Sequence, residues 1–81
     1  MTDTNELERI ASHLKSAGYW VSLDRRRTDE PGAAALIGIT TRTLRQWRAA
    51  GTAPTFIRAG KLTYWISDIL DFIASRENRA A

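Results

Sequence analysis

Between Thr41 and Ala50 the chain sets Arg42, Arg45, Gln46 and Arg48 at spacings that a helix would present to one partner. Arginine pairs bidentately with guanine and glutamine with adenine, each pair worth about 1–3 kcal/mol of discrimination between bases. Leu44 and Trp47, three apart, take the inward side of such a helix. Thr41, Arg42, Thr43, Arg45, Gln46 and Arg48 then share its outward surface, and Arg42, Arg45 and Gln46 are the side chains expected at base edges. The hydroxyls of Thr40, Thr41 and Thr43 fall near the helix N-terminus, where backbone N–H groups favour a phosphate. Capping alone accounts for Thr40 equally well. Farther along, Arg58 and Lys61 flank Ala59-Gly60 and, with Thr63, suit contacts to phosphates or to a minor groove.

The net charge of +3 conceals a segregation. From Pro31 to Ser67 there is no Asp or Glu, while Arg42, Arg45, Arg48, Arg58 and Lys61 lie in that stretch. The flanking segments are each slightly acidic. An acid-free basic surface costs self-repulsion unless a polyanion neutralises it. A solvated basic face is the plainer alternative.

Other chemistries lack their residues. The chain has no cysteine and one histidine, His13, so no metal site or disulfide is expected. No cofactor motif, no paired carboxylates in an apolar setting, no nucleophile beside a base and no glycine-rich phosphate loop occur, so an enzyme is not expected. The start, Met1-Thr2-Asp3-Thr4, is polar, and no apolar run approaches the ~20 residues of a membrane span; a cytoplasmic, membrane-free protein is expected.

These residues need elements to hold them. Leu7, Ile10, Ala11 and Leu14 form the stripe of a leading helix, with Thr4 or Asn5 as cap and Gly18 as stop. Tyr19, Val21 and Leu23 alternate with Trp20 and Ser22, as in a short extended piece. Arg25, Arg26 and Arg27 read as a linker or as an arm reaching a phosphate. Asp29 caps a short helix with Glu30 complementing its dipole and Pro31 in its first turn, and Gly38 closes it. Thr40 caps the next, Thr41 to Ala50, and Gly51 stops it. A glycine-turned hairpin follows over Thr55 to Ile66, in which burial of Leu62, Tyr64 and Ile66 would leave Thr63 and Trp65 outward or covered by something else. Ser67 then caps a last helix with Ile69, Leu70, Phe72 and Ile73 as its stripe, and residues from Arg76 on are expected to fray.

The stretch AAALIGITTRTLRQWRAAGTAP followed by FIRAGKLTYWISDILDFI resembles the MerR-like winged helix-turn-helix group that includes phage excisionases and AlpA-type regulators. The likeness runs from Asp29 to about Ala74. It rests on Ala33-Ala34, Ile37-Gly38-Ile39-Thr40, Thr43-Leu44-Gln46-Trp47, Gly51, Pro54, Gly60, Ser67-Asp68 and Phe72. Gly32 departs from the group's acidic helix former and weakens its helix by about 1 kcal/mol relative to alanine. Trp65 departs from a common basic residue on the wing; burial against the leading segment near Trp20, or against a second protomer, would shelter it.

The resemblance implies a mainly α fold with a small β-hairpin wing, a winged helix-turn-helix with an extra N-terminal helix. Residues 1–28 would form the leading helix and linker, 29–75 the DNA-binding domain and 76–81 a frayed tail. It implies sequence-specific binding of double-stranded DNA by a regulator or recombination directionality factor in a bacterial or phage-infected cell, at the nucleoid. The second helix would lie in the major groove and the wing on backbone or minor groove, with homo-oligomeric or cooperative assembly on the DNA. Two alternatives stand beside it: a module binding a protein partner through the leading helix, and a genome-packaging adaptor like a small terminase subunit.

Overall fold

In the computed structural model, which describes residues 4–80, four helices accompany a three-stranded antiparallel sheet of order β1-β3-β2. Along the chain they are α1 (Thr4–Ser16), β1 (Arg27–Asp29), α2 (Glu30–Ile37), α3 (Thr41–Ala50), β2 (Phe56–Ala59), β3 (Lys61–Trp65) and α4 (Ile66–Ala80). This mainly helical arrangement agrees with a helix pair joined by a short turn and followed by a hairpin.

The α2–α3 pair forms where local chemistry dictates. Asp29 accepts the Gly32 N–H at 3.0 Å, capping α2. Gly38 ends it in the left-handed region (φ 92°), which costs a glycine nothing, and its N–H returns to the Ala34 carbonyl. Two residues later the Thr40 hydroxyl accepts the Thr43 N–H at 3.1 Å and starts α3. Gly32, which looked like a weakness, is required by packing. It is buried, and a β-carbon there would collide with Thr28 Oγ1 on β1. The helix sacrifices propensity so that its first turn can approach the sheet.

β3 is the central strand. Tyr64 faces Thr28 of β1 on one side and Phe56 of β2 on the other, and Thr63 faces Asp29 and Ile57. The arginine run Arg25–Arg27 is therefore not a linker. Ser22 to Arg25 make a tight turn, with Arg25 at φ 59° and its N–H donating to the Ser22 carbonyl, and Arg27 opens β1. The extended piece before it ends early: Val21 bridges Thr28, whereas Leu23 is fully exposed at the turn instead of joining Tyr19 and Val21. Thr4 and Asn5, expected as caps, are the first residues of α1. α4 begins at Ile66, one residue before the expected Ser67 cap, and continues past Arg76 to Ala80; Met1 to Asp3 and Ala81 of the expected terminal segments lie outside the described residues.

Two apolar clusters fill the space between helices and sheet. Ala33, Ala34, Leu44, Tyr64 and Ile69 form the first, ringed by Ile37, Ile39, Trp47 and Ile73. Ala11 and Leu14 of α1 meet Ile66 in the second, with Tyr19, Val21 and Leu70 around them, and Leu36 touches both. The leading helix is thus packed onto the body. Among the described residues no helix is long and apolar enough to cross a membrane.

Candidate nucleic-acid interface

The outward side of α3 gathers three of the expected residues. Arg42, Arg45 and Gln46, together with Ala49, line one shallow open depression, and all four are exposed. They share a face because positions three and four apart lie above one another on a helix. The helix carrying them is held at both ends, by Thr40 and by Gly51 (φ 78°), whose N–H returns to the Trp47 and Arg48 carbonyls. Thr41 and Thr43 are half-buried at its N-terminus, and the Thr43 hydroxyl is engaged with that of Thr40 at 2.9 Å.

Arg48 is placed elsewhere. Its Nε donates to Glu30 Oε2 at 2.9 Å and its Nη2 to Oε1 at 3.4 Å, while the Tyr64 hydroxyl donates to the same Oε2 at 2.7 Å. The guanidinium also lies 5.8 Å from the Phe56 ring centroid. Expected as an outward contact, Arg48 instead ties α3 to α2 and to the hairpin. Burial, and then the bond to the Glu30 carboxylate, push the Tyr64 hydroxyl well above the usual tyrosine range, so it stays a donor. Glu30 serves as more than a dipole partner: it is the buried acceptor at which three elements meet. A signal for this was present in the sequence. A tyrosine in the buried set of a strand needs a partner for its hydroxyl, and Glu30 is the last acid before the acid-free stretch.

The hairpin divides its expected contacts. Arg58 is exposed and, two residues from Phe56, points to the side of the sheet where the helices lie. Lys61 and Thr63 point to the opposite side. Lys61 Nζ sits 5.2 Å from the Trp20 ring centroid. Thr63 is buried, not outward in solvent, and its hydroxyl is unpartnered. Trp65 on the same side is half-buried with the Arg27 guanidinium over its ring at 5.7 Å. Arg76, expected in a frayed tail, stacks 4.6 Å from both the Trp47 and Phe72 centroids.

The structure therefore brings Arg42, Arg45 and Gln46 together on α3, leaves Arg58 exposed on the helix side of the hairpin, and separates Arg48, Lys61 and Thr63 from them. No protein-family model matches the chain, and no curated protein or solved structure is significantly similar to it.

Proposed function

We propose that this chain is a winged helix-turn-helix protein that binds double-stranded DNA by sequence, with α3 in the major groove and the β2–β3 hairpin as the wing. The observation that carries the reading is the exposed Arg42, Arg45 and Gln46 triad on one face of a doubly capped helix, within a stretch that contains no carboxylate. The major groove, about 12 Å wide, admits one such helix. Arg45 and Gln46 would read base edges, Arg42 a base or phosphate near the helix N-terminus, and Arg58 the backbone beside the groove. The buried Glu30 pair would fix the angle between helix and wing. The action is positioning alone, as suits a regulator or a recombination directionality factor.

A protein-binding role has one observation in its favour. Ile10, Leu14, Ala17, Tyr19, Ala35 and Leu36 line an open apolar groove between α1 and α2, on which a partner could sit.

Fluorescence anisotropy tests the duplex reading, using DNA selected from a random library and a scrambled duplex over a salt series. Tight binding to the selected duplex, weakening steeply with salt and falling at least tenfold in Arg45→Ala, is the expected result. Weak binding, indifferent to sequence and to Arg45, would reduce the basic face to a solvated surface and turn attention to the α1–α2 groove.

A further inference from the structure

The face of the sheet turned away from the helices is built unlike the rest of the molecule. Alternation along β3 places Lys61, Thr63 and Trp65 there, beside Ile57 and Ala59 of β2 and Arg27 and Asp29 of β1. Val21 pairs with Thr28 on the helix side, so Trp20 belongs to this outer face as well. Neither apolar cluster includes Trp20, Ile57 or Trp65.

Two tryptophans thus lie outside the core on one surface, and each carries a cation on its ring, Lys61 at 5.2 Å from Trp20 and Arg27 at 5.7 Å from Trp65. Arg25 and Arg26 on the adjoining turn face α1 instead, where Arg25 donates to the Ser12 hydroxyl at 3.4 Å. Asp24, beside Arg26 and Arg27, offsets part of their charge. Asp24 accepts from the Ser22 hydroxyl and the Arg26 N–H, and Asp29 accepts from the Gly32 N–H. Thr63, only 2% exposed, carries a buried hydroxyl without a hydrogen-bond partner on the same face.

We propose that this outer face binds an unpaired nucleic-acid strand, with bases stacked on Trp20 and Trp65 and phosphates taken by Lys61 and Arg27. The pairing of ring and cation selects the occupant. Stacking on an aromatic face is open to any unpaired base, whereas duplex bases are already stacked on one another. An acidic peptide would satisfy the cations but leave the indole faces unused. The cations already sit on the rings, so a base arriving on Trp20 brings its phosphate within reach of Lys61. The surface is on the opposite side of the sheet from the helices, so this proposal does not depend on the duplex reading.

The test is anisotropy of labelled oligothymidylate with the full chain, and with Trp20→Ala, Trp20→Phe, Lys61→Gln and Arg45→Ala. Trp20→Ala and Lys61→Gln should each weaken binding, Trp20→Ala by about tenfold, the loss of one stacked base. Trp20→Phe, which keeps a ring, should restore most of it, and Arg45→Ala should leave it unchanged. Binding of selected duplex should show the reverse pattern. Lys61 is exposed, so its variant carries the test if Trp20→Ala fails to fold. The proposal is overturned if the wild-type chain does not bind oligothymidylate, if Arg45→Ala weakens that binding as much as Trp20→Ala, or if polyglutamate competes as well as the oligonucleotide.

Discussion

Replacing Glu30 by alanine should separate the internal role of the Glu30–Arg48–Tyr64 group from any contact with DNA. Tyr64 is completely buried, and its hydroxyl donates to Glu30 Oε2 at 2.7 Å. Without that acceptor the hydroxyl is an orphaned buried donor, which costs about 1–3 kcal/mol. Arg48 is partly exposed and can turn to water, so its release adds little beyond the packing lost around the missing side chain. A total of about 2–3 kcal/mol follows, and a domain of this size converts each kcal/mol into roughly 4–8 °C of Tm. Thermal unfolding followed by tryptophan fluorescence should therefore show Glu30→Ala melting roughly 10–20 °C below the wild type. In a Tyr64→Phe background, which removes the donor, the same substitution should cost at least about 1 kcal/mol less. A parallel arm uses Arg48→Met, assayed below its own Tm: the salt dependence of duplex binding should equal that of the wild type. A Tm loss under about 4 °C, an additive double-mutant cycle, or a salt slope reduced by about one in Arg48→Met would refute the reasoning.

Gly32→Ala gains helix propensity yet should destabilise by about 1–3 kcal/mol, because its methyl meets Thr28 Oγ1; equal or higher stability in urea unfolding would show that the contact yields easily, and a Thr28→Ala background should shrink the penalty. Tyr64 has its pKa raised above the ordinary 10.0, so the folded chain keeps a proton that the unfolded chain releases. Stability from this source is whole below about pH 10 and declines as pH rises beyond it. Urea midpoints measured across that range should fall less steeply for Tyr64→Phe, and parallel profiles would argue against the linkage. Thr40→Ala removes the acceptor of the Thr43 N–H, and a loss of about 1 kcal/mol is expected in the same unfolding assay.

The α2–turn–α3 pair was legible because its signals are local: Asp29, Gly38, Thr40 and Gly51 each act on backbone groups within a few residues. The failures came from contacts with distant sequence. Arg48 lies four residues after Leu44, about 40° from it on the helix, which puts it at the inner margin of α3. Its acidic partner stands 18 residues upstream. β1 is Arg-Thr-Asp, three residues with no apolar pattern, and it is a strand because β3 pairs with it. Alternation puts Thr63 and Trp65 on the side of β3 opposite Tyr64 and leaves open whether they meet solvent or a cover; Thr63 is covered there. Nothing in the tail sequence suggests a fixed position for Arg76. Its stacking on Phe72, one turn earlier, and on Trp47 depends on where α3 lies.

The central position of β3 also bears on how the molecule assembles. β1 is bounded by residue 29, and its partner strand begins at residue 61. During synthesis both helices of the α2–α3 pair emerge before the strand that joins the sheet, so they can form early from short-range contacts, while the sheet waits for a closure spanning more than a third of the chain. Loop closure of that kind is entropically costly and slows folding. The last event would then be the insertion of β3 between β1 and β2, bringing Tyr64 to Glu30 and Thr63 to Asp29 in a single register. A slip by one residue would exchange the buried Tyr64 side for the Thr63 side, so the tyrosine–glutamate bond acts as the check that the strand has docked correctly.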